Sequence, residues 1–90
     1  MSVRIENLAN NQVVVHGSTT STFTSYGTLI AVNDFEAGKT YLTDAWDYSA
    51  TTTRYLAQFL GLSGKGAKAE IKKRLADGRY ILDPAPKVSL

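Results

Sequence analysis

Residues 39–60 read Lys39-Thr40-Tyr41-Leu42-Thr43-Asp44-Ala45-Trp46-Asp47-Tyr48-Ser49-Ala50-Thr51-Thr52-Thr53-Arg54-Tyr55-Leu56-Ala57-Gln58-Phe59-Leu60, and within them the period of the chain changes. Lys39 to Thr43 is β-branched and aromatic, as a strand requires. From Tyr55 onward the spacing is helical, because Tyr55, Leu56, Phe59 and Leu60 fall at i, i+1, i+4 and i+5. Ser49 or Thr51 is placed to offer a hydroxyl to the unbonded N–H groups of the first turn, and Gly61 stops the helix. Three consecutive threonines are poor helix formers, so a helix over Thr51 to Leu60 must draw its stability from packing and from its cap.

On the N-terminal side the pattern is that of strands. Val3 and Ile5 alternate with Arg4 and Glu6, Ala9-Asn10-Asn11 supplies a turn, and Gln12-Val13-Val14-Val15-His16 is a β-branched run. Gly17-Ser18 breaks that run. Thr19 to Ser25 suits a strand with one wet face, Tyr26-Gly27 marks a bend or bulge, and Leu29-Ile30-Ala31-Val32 is apolar enough for a central strand. Asn33 to Gly38 then turns the chain into Lys39 to Thr43. This makes four strands, or five if the chain breaks at Gly27, in an antiparallel meander with one face to be covered.

On the C-terminal side a second helix runs from near Gly66 to Asp77-Gly78, with Ala67, Ile71 and Leu75 on one side and Gly78 as its terminating glycine. Arg79-Tyr80-Ile81-Leu82 reads as a short last strand, and Asp83-Pro84-Ala85-Pro86-Lys87 ends the ordered part. The expected architecture is α+β, a sheet covered by two short helices, in one domain over residues 1–83 with a tail at 84–90.

Composition agrees with a folded chain. Hydrophobic residues make up 43% and charged residues 20% of 90 positions, near the averages for globular proteins. A domain this small buries only about 60 to 65% of its unfolded surface, which leaves self-association open to it as a homo-oligomer. The absence of cysteine excludes a disulfide framework and a thiolate zinc site, and a single histidine, His16, excludes paired imidazoles. No apolar run approaches the ~18 residues of a membrane span, and Met-Ser-Val-Arg-Ile-Glu lacks the order of a signal peptide. The expectation is a soluble intracellular protein with no membrane contact.

Charge is unevenly divided. Residues 1–60 carry three basic and five acidic side chains, whereas residues 61–90 carry seven and three. An anionic partner is therefore one reading of the C-terminal third, and a solvated helix face is the other. Lys65, Lys68 and Lys72 fall close together on a helical wheel, with Lys73 beside them, and form a basic ridge suited to anion or nucleic-acid contact. Gly61-x-x-Gly64 between two helices has the arrangement with which KH domains clamp a nucleic-acid backbone. A Walker A loop is absent.

The segment Trp46 to Arg54 sits where a strand ends and a helix begins. Hydroxyls, an arginine and helix N–H groups there could hold an anion; equally, Trp46 and Tyr48 could plug the core while Ser49 and Thr51 cap the helix. Six rings, Tyr26, Tyr41, Trp46, Tyr48, Tyr55 and Tyr80, cannot all be buried in so small a core. Tyr26, Trp46, Tyr48, Thr51, Thr52 and Arg54 are accordingly the candidate aromatic and hydroxyl binding surface. Catalysis has little to draw on, since His16 has no serine or carboxylate at a diagnostic spacing, and Asp34, Glu36, Asp44 and Asp47 lack the regular spacing of a metal loop. No catalytic residue, metal site or cofactor is expected.

Phe23-Thr24-Ser25-Tyr26-Gly27-Thr28-Leu29-Ile30-Ala31, then Tyr41 to Leu56 with its Trp46-Asp47-Tyr48-Ser49-Ala50-Thr51-Thr52, then Phe59-Leu60-Gly61, resemble a family of small uncharacterised bacteriophage and prophage proteins. Those proteins carry a Ser-Tyr-Gly-Thr segment followed by Trp-Asp-Tyr-Ser-x-Thr-Thr. The resemblance spans about residues 20 to 61 and implies phage origin and action in the cytoplasm of the bacterial host. It carries over no functional residue. The function expected is that of a non-enzymatic phage accessory protein that binds a host macromolecule, most readily a host protein, and inhibits a host or defence protein. Nucleic-acid binding by the basic helix and capture of a small anionic nucleotide at Thr51 to Arg54 are the alternatives.

Overall fold

Tight turns fold the first half of the chain into a continuous antiparallel ladder of β1 (Arg4–Ala9), β2 (Gln12–His16), β3 (Thr20–Ser25), β4 (Thr28–Asp34) and β5 (Lys39–Leu42). The computed structural model describes residues 3–62, 66–86 and 88. Between β3 and β4, Tyr26 and Gly27 have φ of +52° and +78°. Two positive φ values in a two-residue loop match the right-handed twist of the strands it joins, as in a type I′ turn. The Tyr26 N–H also donates to the Asn11 carbonyl at 2.8 Å, which ties this turn to the one between β1 and β2.

Alternation then sorts the strands into two faces. Val14, Phe23, Ala31 and Leu42 stand opposite one another across β2 to β5, and all four belong to the buried core. The sheet is irregular between Asn7 and Ala9 on β1, opposite β2, and again at a bulge between β3 and β4, where Phe23 faces Ala31 and Thr24 faces Leu29. Ile30 is the extra residue, and it joins Ala31 in the core, so the bulge lets two consecutive residues be buried. The sequence pattern placed the bend at Tyr26-Gly27; the structure has a turn there and the bulge three residues later.

Helices α1 (Ala50–Phe59) and α2 (Ala67–Ala76) cover this core face with Leu56 and Ile71, both fully buried. Phe59 stacks on Phe23 at 5.8 Å between centroids. After α2 the chain enters β6 (Tyr80–Leu82), which pairs with β5 to complete a six-stranded sheet in sequential order. This last pairing is parallel. The meander predicts antiparallel neighbours, but the helical layer carries the chain back along the sheet, so β6 starts beside Thr40 and ends beside Leu42. Beyond β6 the Asp83 N–H donates to the Leu42 carbonyl at 2.8 Å, and Pro86 is buried.

One core position breaks the pattern. Gln12, opposite Ser25, is buried, and among the described residues neither its amide oxygen nor its nitrogen has a hydrogen-bond partner. A buried amide without partners costs about 1–3 kcal/mol. Replacing Gln12 by leucine is therefore expected to raise unfolding stability by about 1 kcal/mol or more. Ile71→Ala is expected to lower it by about 2–5 kcal/mol through loss of packing. Urea denaturation of the two variants measures both.

Candidate functional site

The start of α1 is held by hydroxyl groups. Ser49 is the N-cap; its Oγ accepts from the Thr52 N–H at 3.1 Å and lies 3.0 Å from Thr52 Oγ1. Thr52 Oγ1 in turn shares a buried 2.9 Å hydrogen bond with Ser25 Oγ on β3. The poor helix former at position 52 is thus the anchor of the helix to the sheet. Thr53 donates its hydroxyl to the Ser49 carbonyl at 3.0 Å.

Fixed in this way, the first turns of both helices line one groove of about 540 Å³. Tyr48, Ser49 and Arg54 contribute from the α1 side, Gly66 and Lys68 from the α2 side, and Asp47 lies at the same opening. Tyr48 is 52% exposed. Arg54 lies over the Tyr55 ring at 5.5 Å and, like Lys68, makes no ion pair with any described acidic residue. Gly66 caps α2 at a φ of +86°, and no side chain among the described residues bonds to the first-turn N–H groups. Two cations, the Asp47 carboxylate, an exposed ring and a helix start with no side-chain cap among the described residues therefore meet at one opening, where the helix dipole favours negative charge.

The other residues predicted for the site are dispersed. Trp46, 8% exposed, belongs to the core, where the plug alternative puts it, and Thr52, counted with the binding surface from the sequence, is fully buried in the hydroxyl chain. Thr51 is exposed on α1. Tyr26 is 56% exposed at the β3–β4 turn and does not line the groove. Lys72 and Lys73 are exposed farther along α2. Lys65, and Gly64 of the Gly61-x-x-Gly64 loop, lie outside the described residues.

Sequence reasoning missed a second groove, of about 630 Å³, beside the end of α1. Its polar side carries Glu6, His16 and Ser21, and its apolar side includes Phe35 and Phe59. His16 lies 2.8 Å from Ser21 Oγ through Nδ1 and 3.1 Å from Glu6 Oε1 through Nε2. Both ring nitrogens are engaged and Ser21 is buried, so the chain of three clamps β1, β2 and β3 together. Strand register makes these contacts: His16 stands opposite Ser21 on β3, and on β1 it stands opposite Arg4, so that Glu6, two residues on and on the same face, lies diagonally across from it. The bend at Ser18 and Thr19 joins β2 to β3, with the Gly17 N–H donating to the Thr20 carbonyl at 2.7 Å, and counting outward from it gives the first pair.

On the far side of the helical layer, Arg74 donates to Glu70 at 2.7 Å and to the Tyr80 hydroxyl at 3.0 Å, which links α2 to β6. The Arg74 hydrogen bond, helped by the charges of Arg74, Lys73 and Arg79, holds the Glu70 carboxyl below its ordinary value of 4.5.

Residues 3–77 match a family of unknown function (DUF8033), and the chain belongs to that family. The matched region takes in β1 to β5 and both helices. No curated protein and no solved structure matches the chain.

Two outcomes follow from this geometry. Trp46→Ala should cost about 3–5 kcal/mol of stability, as loss of a core ring does, whereas Arg54→Ala should stay within about 0.5 kcal/mol. Chemical denaturation separates core from surface. A carboxyl depressed in the folded state stabilises it above its unfolded value, and that contribution is lost as pH falls through the folded one. Glu70→Gln is therefore expected to flatten the loss of stability below its ordinary value of 4.5, read from urea midpoints across acid pH.

Proposed function

We propose that this DUF8033 family member is a non-enzymatic binding protein that takes a phosphate-bearing ligand of a bacterial host in the groove between its helix starts. The observation that carries this reading is the meeting of Tyr48, Arg54 and Lys68 at one opening. Arg54 and Lys68 supply charge for a phosphate, the first-turn N–H groups of α2 supply donors, and the exposed Tyr48 ring supplies a face on which a base can stack. A nucleoside phosphate satisfies all three. The resemblance to small phage proteins supplies the setting, a phage accessory protein acting in the host cytoplasm.

Such a ligand can come as a free nucleotide or as part of a strand. Lys72 lies one helical turn beyond Lys68, so the basic row continues away from the groove along α2, and this favours a single strand. Among the described residues no helix is long and apolar enough to cross a membrane.

Fluorescence anisotropy with short single-stranded DNA and RNA, run beside a melting-temperature panel of nucleotides, tests the reading and separates the two sources. Binding at low salt should weaken steeply as salt rises, and Lys68→Ala should reduce the salt slope by about one contact. Tyr48→Ala should cost about 1–3 kcal/mol of affinity. A rise in melting temperature with nucleotides alone would assign the groove to a free nucleotide. No binding in either assay, or a stoichiometric host-protein partner whose affinity ignores Tyr48, Arg54 and Lys68, would overturn it.

A further inference from the structure

The free edge of the sheet at β1 has a geometry that fits a second copy of the same strand. The Gly17 N–H donates to the Thr20 carbonyl at 2.7 Å, and the Tyr26 N–H donates to Asn11 at 2.8 Å. In an antiparallel ladder the direction of the backbone polar groups alternates. Val13 and Val15 therefore direct theirs toward β3, and Val14 and His16 direct theirs toward β1. Because His16 and Val14 stand opposite Arg4 and Glu6, those two residues bond inward to β2. Val3, Ile5 and Asn7 are left with N–H and C=O groups pointing away from the sheet.

From Val3 to Asn7 this edge lacks the proline, lysine or early bulge that commonly blocks strand addition, and its two charges, Arg4 and Glu6, are of opposite sign. Val3 is 49% and Ile5 64% exposed, and the bulge between β1 and β2 comes only after Asn7. The opposite edge, β6, is only three residues long.

We propose that two copies of this chain pair antiparallel through β1, with Ile5 on the two-fold axis. In that register Ile5 meets Ile5 and Val3 meets Asn7 as hydrogen-bonded pairs, giving about six inter-strand bonds. Arg4 of one copy meets Glu6 of the other as a non-hydrogen-bonded pair, the kind whose side chains approach most closely. Moving the axis to Arg4 sets arginine against arginine, and moving it to Glu6 sets glutamate against glutamate. Of these three registers, the charges of Val3-Arg4-Ile5-Glu6-Asn7 select the one centred on Ile5.

Hydrophobic continuity points the same way. On the sheet face away from the helices, Ile5, Val15, Thr22, Val32, Tyr41 and Ile81 form one cross-strand row. Pairing about Ile5 runs this row into its symmetry mate and covers its most exposed member. Both partners present the same patch, as an isologous interface requires.

Sedimentation velocity of the full chain from micromolar to millimolar concentration tests the proposal. The wild type should sediment with the mass of two chains rather than the 9.8 kDa of one. Arg4→Glu, like Glu6→Arg, sets like charges opposite each other twice per dimer and should weaken association by about tenfold or more. The double variant Arg4→Glu with Glu6→Arg restores opposite charges and should restore the dimer, with circular dichroism confirming that each variant is folded. A wild type that stays monomeric throughout overturns the proposal. So does a dimer indifferent to Arg4→Glu, or a double variant no better associated than the single ones.

Discussion

The hydrogen-bonded chain from Ser25 through Thr52 to Ser49 determines where the helical layer sits. Residues 51–53 are threonines, which disfavour helix, so α1 needs an external reason to begin where it does. The buried hydroxyl of Thr52 meets Ser25 on the sheet and Ser49 at the cap, and it would be costly there without both. From that anchor α1 runs over Phe23 toward the far end of the sheet. Both grooves follow from this placement, one at the start of α1 and one at its end.

Much of this was legible in the sequence because it is local. The strand pattern, the Ser49 cap, the glycine after each helix and the Ile71 stripe depend on neighbours a few residues apart, which period and capping rules describe. The bulge at Ile30 was not legible, since a continuous run from Leu29 to Val32 fits a regular strand equally well. Nor was the direction of β6, which depends on the route of the helical layer. For the candidate site, the sequence located the helix start and its charges, but left Trp46 open between core plug and binding surface and counted Thr52 with the surface. Their burial is set by how the turn before α1 and α1 itself meet the sheet, a contact across 27 positions in the case of Ser25 and Thr52. His16 reads as isolated along the chain and gains Glu6 and Ser21 only through register.

Gln12 marks where local and tertiary requirements part. Period and β propensity place it in the core row with Val14, yet its amide is buried without partners among the described residues. In a small domain, with little core to spare, such a residue is a substantial cost. It stands opposite Ser25, the first member of the hydroxyl chain, so the polar character of this end of the core extends beyond the groups that are satisfied.

The charge asymmetry also takes a sharper form in three dimensions. Of the basic residues beyond position 60, Arg74 is paired with Glu70, and Arg79 with Asp77 and Glu70. Those arginines serve the junction of α2 and β6, and their charge is locally offset. Lys68, Lys72 and Lys73 remain exposed on α2 and make no ion pair with any described residue. The first of them opens onto the groove that holds Arg54 and Tyr48. An excess that looks diffuse along the chain is therefore, among the described residues, concentrated on the exposed side of α2 with Lys68 at one opening, and on the reading proposed above that distribution serves to steer an anion.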